Sequence, residues 1–139
     1  MIGILIIAHG NFGESLLSCA KHVLGSAPPQ CATLAVGSHD DHQTLLPKAQ
    51  ALIAQVNTGD GVLVLTDMYG ATPCNIIRQV LQTGAVEGVA GVNLPMLLRS
   101  ITYRHVPLVS LVEKAVSGGR EGVVHFNQAN CEHYKSVDE

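Results

Sequence analysis

Two side chains stand where chemistry could be done, His9 in "IIAHGNFGES" and Asp67 in "GVLVLTDMYGATP". Each directly follows an apolar run, "IGILIIA" before the histidine and "GVLVLT" before the aspartate. Apolar runs of that length, bounded by turn residues, read as strands buried on both faces. Both ionisable groups therefore sit at the carboxyl ends of strands, where ligands and chemistry collect in open α/β sheets. If the two strands are neighbours, the carboxylate can accept one ring N–H and fix the tautomer. The other nitrogen is then free as a nucleophile. A helix beginning at Pro73 would aim its free N–H groups and positive dipole end at the same place, which suits an anion. Histidine, orienting carboxylate and anion site together suggest phosphoryl chemistry on the histidine.

The elements that must position these groups alternate along the chain. After the first strand, Leu16, Leu17, Ala20, Val23 and Leu24 recur at helical spacing, predicting a helix over 14–24 that ends at Gly25. "CATLAV" predicts a short second strand, and Thr44 would cap a helix over 45–56 with Pro47 in its first turn. "GVLVLTD" is the third strand, followed by a helix over 73–83 with Thr72 as cap and Pro73 at its first position. "VEGVAGVN" predicts a fourth strand, Pro95 opens a short helix, and a longer helix covers 108–117. "GGREG" reads as a flexible connector to a last short strand, "VVHF", ahead of a polar tail. This order predicts a three-layer α/β/α sandwich around a mostly parallel sheet. One domain is expected over 1–126, with a tail over 127–139.

Composition narrows the class. A chain of 139 residues with 47% apolar and only 14% charged residues can bury one core and has apolar surface left for a second subunit. A net charge of -3, with no Lys/Arg-rich run, argues against a nucleic-acid partner. Apolar runs of seven or eight residues fall far short of the roughly 20 needed to span a bilayer. There is no signal-peptide pattern, and Cys19, Cys31, Cys74 and Cys131 lack CxxC spacing. They read as reduced thiols of a cytoplasmic protein. "HDDH" at 39–42 opens a helix, where acidic residues suit the dipole, so no metal site is expected.

"IAHGNFGESLLSCAKHVLG", "GVLVLTDMYGATPCN", "GVAGVNLPML" and "GREGV" resemble, in order, the blocks of the mannose-family enzyme IIA domain of the bacterial phosphotransferase system. The resemblance spans residues 1 to about 124 and implies a phosphocarrier without metal or organic cofactor. On that likeness the catalytic residues are His9, phosphorylated on Nε2, and Asp67, which holds Nδ1. Gly70, Ala71 and Thr72, before Pro73, match a small-residue loop that contacts the phosphoryl group, and Gly10 completes that set. The implied donor is the histidine phosphocarrier protein and the acceptor an enzyme IIB on a separate chain. A membrane permease is reached only through those partners. A homodimer is implied in which "VVHF" crosses to the partner subunit. Met68 and Tyr69 stand where the best-known members carry threonine and tryptophan, and Ala71 where they carry glycine. Phe12, Met68 and Tyr69 could be core residues or a docking rim around His9.

Other functions fit less well. A phosphohydrolase of the histidine phosphatase kind wants arginine before the histidine, and the residue is Ala8. A receiver domain phosphorylated on Asp67 needs an acidic pair after the first strand, and "AHGN" offers none. A nucleotide-binding module would carry GxGxxG or a P-loop lysine. The remaining alternative is a regulatory phosphoprotein without its own transporter, using the same His9 chemistry.

Overall fold

The computed structural model describes residues 1–69 and 72–131. In chain order it contains β1 (Gly3–His9), α1 (Phe12–Leu24), β2 (Cys31–Val36), α2 (His42–Val56) and β3 (Val62–Thr66). These are followed by α3 (Thr72–Val80), β4 (Val86–Ala90), α4 (Leu94–Thr102) and α5 (Leu108–Glu121). The four strands form one sheet in the order β2-β1-β3-β4, parallel at every pairing. The expected mostly parallel sheet is thus wholly parallel among the described residues.

The apolar runs in the sequence are explained by the two faces of this sheet. Successive strand residues point to opposite faces. Along β1, Ile4, Ile6 and Ala8 join a core with α1, α4 and α5, while Leu5 and Ile7 join a second core with α2 and α3. Along β3, Leu63 and Leu65 take the first side and Val62 and Val64 the second. A central strand with both faces covered has no polar face to display. The result is the expected three-layer α/β/α sandwich. Its sheet changes winding direction between β1 and β3, which leaves a crevice beyond their carboxyl ends.

Two local expectations are corrected. The cap of α2 is Asp41, whose side chain accepts from the Thr44 amide at 2.9 Å, so the helix starts earlier and Pro47 falls in its second turn. Either residue can cap, and the ionised carboxylate also answers the positive dipole end. "GGREG" is not a flexible connector, because α5 runs through Gly118 and Gly119 to Glu121. A Cβ on Gly119 would stand 2.7 Å from Met96 Cε, and one on Gly118 3.0 Å from Arg99. These glycines let α5 press against α4; they do not unhinge it. Among the described residues "VVHF" pairs with no strand, and Val123 and Phe126 are exposed.

Arg104, in the turn after α4, was not anticipated. It is 2% exposed and donates to the carbonyls of Ile2, Pro29 and Gln30. Three carbonyls where β1 and β2 begin are answered by one guanidinium, the Gln30 carbonyl also accepting from the Ile4 amide at 3.0 Å. This ties the amino-terminal edge of the sheet, the end away from His9.

Candidate functional site: a histidine–carboxylate pair at the switch point

His9 is the last residue of β1, and Asp67 is the first beyond β3. The parallel register sets Ile7 beside Thr66, so the two strands end side by side. Past His9 the chain turns sharply at Gly10, whose positive φ of 54° suits glycine. The Gly10 amide still donates to the Val36 carbonyl, which keeps the end of β1 in the sheet. α1 then starts at Phe12.

His9 Nδ1 lies 2.9 Å from Asp67 Oδ2, and the same oxygen accepts from the His9 backbone amide at 3.2 Å. Asp67 Oδ1 accepts from the Met68 amide at 3.1 Å and, more distantly, from the Thr66 hydroxyl at 3.4 Å. The carboxylate is therefore fixed on both oxygens. Its side chain is 18% exposed, against 47% for His9. Partial burial alone would push the Asp67 carboxyl up. The hydrogen bonds from His9 and the attraction of its ring outweigh that, and the carboxyl sits below its ordinary value. An ionised Asp67 accepts the Nδ1 proton, which leaves Nε2 as the basic nitrogen on the exposed side.

The residues expected around the pair fall out unequally. Gly10 adjoins His9. Gly70 and Ala71 lie outside the described residues, as does the side chain of Thr72, whose backbone opens α3. Phe12, Met68 and Tyr69 are 40%, 56% and 78% exposed, so none is a core residue. Asp40 accepts from the Gly37 amide and Asp41 caps α2, so both acids of "HDDH" serve the backbone. A groove of about 670 Å³ lies between α1, α4 and α5, lined by Leu24, Pro95, Arg99, Tyr103, Lys114 and Glu121 among others, and includes neither His9 nor Asp67. Thr66 was missed by sequence reasoning; its signal was a hydroxyl at the end of an otherwise apolar row.

Fold and site define an α/β domain whose strand-end histidine is held by a carboxylate at the sheet's switch point. The chain belongs to the family described as PTS system fructose IIA component, which residues 3–116 match. It is 36% identical over 125 residues to the PTS system mannose-specific EIIAB component of Escherichia coli K12, covering 88% of this chain and 38% of that protein. This chain thus spans well under half the length of that relative. It is 30% identical over 121 residues to the PTS system fructose-specific EIIA component of Bacillus subtilis strain 168, covering 84% and 82% of the two. Among solved structures, it is similar to phosphotransferase system component EIIA from Streptococcus agalactiae. That match has a TM-score of 0.82 and 26% identity, over 94% of this chain and 100% of the other. No helix among the described residues is long and apolar enough to cross a membrane.

The lowered Asp67 carboxyl makes a pH prediction. Its interactions favour the ionised form, so they stabilise the folded chain above the unfolded aspartate value of about 3.9. That stabilisation is lost as pH falls through the lower, folded value. Urea midpoints of the native chain and Asp67→Asn should therefore differ at pH 7 and converge toward pH 3. A gap that stays constant across this range would contradict the pairing.

Proposed function

We propose that this EIIA component is a phosphocarrier working through His9, and that the 2.9 Å contact between Nδ1 and Asp67 is the observation that carries the reading. The donor is the phosphohistidine of the histidine phosphocarrier protein. His9 Nε2 attacks phosphorus through its lone pair as the donor's P–N bond breaks, and the donor ring leaves with the bonding electrons. No proton need leave His9, because Nδ1 keeps its hydrogen against Asp67. The phosphorylated ring carries a positive charge, and the adjacent carboxylate balances it. Transfer to a histidine of an enzyme IIB reverses the electron flow: the P–Nε2 bond breaks and its pair returns to His9.

A carrier must withhold the group from water. The described neighbours of His9 in the chain, Ala8, Gly10, Asn11 and Phe12, include no base to activate water. The exposed Phe12, Met68 and Tyr69 suit a docking protein whose arrival excludes solvent during transfer. Gly10, Gly70, Ala71 and Thr72, with the amides opening α3, supply the anion contacts in this reading, so neither metal nor organic cofactor is required. The protein works in the cytoplasm and meets a membrane permease through its partners.

The reading includes a homodimer. β4 is an edge strand, and beside it a groove of about 520 Å³ is lined by Gly88, Val89, Met96, Val116 and Val123. A short strand such as 123–126 of a second copy fits that edge, and Val109, Val123 and Phe126 give the exposed apolar surface a partner would cover. A monomer in sedimentation at micromolar concentration would contradict the dimer.

Incubation with phosphoenolpyruvate, enzyme I and the histidine phosphocarrier protein should place one acid-labile, base-stable phosphate on each chain. His9→Ala should stay folded and take none. Asp67→Asn should stay folded and transfer more slowly, by about a hundredfold, the scale of losing charge stabilisation by one preorganised group. Label persisting in folded His9→Ala, or rapid phosphate release without an acceptor, would overturn the carrier.

A further inference from the structure

Thr66 ends a row that is otherwise valine. Val62 and Val64 face the α2 and α3 side of β3, and Thr66 shares their direction by the period of two. Threonine and valine fill nearly the same volume, so a third valine would pack there without a polar atom to satisfy. Thr66 is only 2% exposed, and water does not serve its hydroxyl freely. Nor does its backbone need help: the strand is paired with β1 and β4, and the Thr66 carbonyl accepts from the Val92 amide at 3.0 Å.

Among the described residues, the acceptor for this hydroxyl is Asp67 Oδ1, at 3.4 Å. That oxygen also receives the Met68 amide, while Oδ2 is taken up by the ring and amide of His9. The Oδ1 donors therefore govern how the carboxylate turns and how much charge it keeps for the ring. The titratable group that acts on Asp67 is His9, from β1.

We propose that Thr66 is a positioning residue of the phosphoryl-transfer site, acting through Asp67 to hold Oδ2 on His9 and to keep the shared proton on Nδ1. The inference rests on the phosphocarrier reading for its consequence, though not for its geometry. Without the hydroxyl, Asp67 keeps its place in the chain but loses one donor that favours its ionised form. It then titrates higher and competes better for the ring proton.

Two substitutions separate the hydroxyl from the shape. Thr66→Val removes the donor and keeps the volume, while Thr66→Ser keeps the donor and loses a methyl group. In the unphosphorylated protein, the Asp67 carboxyl resonance followed by NMR should titrate at higher pH in Thr66→Val and near the native position in Thr66→Ser. In the transfer assay, Thr66→Val should be slowed roughly three- to tenfold, the scale of one long hydrogen bond to the carboxylate. The acid limb of its pH profile should move upward, and serine should restore both. An unmoved Asp67 titration in folded Thr66→Val, or serine behaving as valine does, would overturn the proposal. If the native protein itself took no phosphoryl group, the carrier reading would fall, and the Asp67 titration would still decide whether Thr66 governs that carboxylate.

Discussion

One imidazole held by one carboxylate across two adjacent strand ends is the constraint on which the rest of this structure depends. The contact is 2.9 Å long and joins residues 58 apart in the chain. No local motif can fix such a distance. It exists because β1 and β3 lie side by side, run parallel, and end together with Ile7 beside Thr66. Hydrogen bonding between the strands sets their spacing, and burial of both sheet faces sets their register. Slipping β3 by one residue would send Val64 toward the wrong core and move Asp67 away from His9 at once.

The two ends of the sheet are built for different tasks. At the amino-terminal end, Arg104 is buried and spends its guanidinium on three carbonyls. At the carboxyl end the chain leaves polar groups open: His9 is nearly half exposed and Tyr69 more so. Interior packing follows the same division. Gly118 and Gly119 let α5 approach α4 closely, which closes the first core beneath the sheet without reaching the site. Buried hydrogen bonds and close packing are concentrated where no chemistry is expected, and access where it is.

Sequence exposed the parts that follow from burial. β1 and β3 were legible because central parallel strands are apolar on both faces, and His9 and Asp67 because each interrupts such a run. Their meeting could be reasoned only as a condition, since strand order is a tertiary property. Thr44 suits a helix cap by residue type, but Asp41 suits it equally, and which one caps α2 depends on a turn that composition does not specify. "GGREG" misled because glycine signals flexibility in isolation, whereas here it signals the near approach of another helix. Arg104 gave no warning, for a lone arginine in a loop looks like a surface charge until carbonyls from three other residues converge on it. "VVHF" looks like a strand but has no partner strand among the described residues.

The central claim is that Asp67 keeps the proton of His9 on Nδ1 so that Nε2 carries the phosphoryl group. Nitrogen-15 NMR of the phosphorylated protein, labelled in its histidine rings, tests this most directly. The account predicts phosphorus bonded to Nε2 of His9, with Nδ1 still protonated and hydrogen-bonded to an ionised Asp67. Phosphorus on Nδ1, or on any residue other than His9, would contradict it.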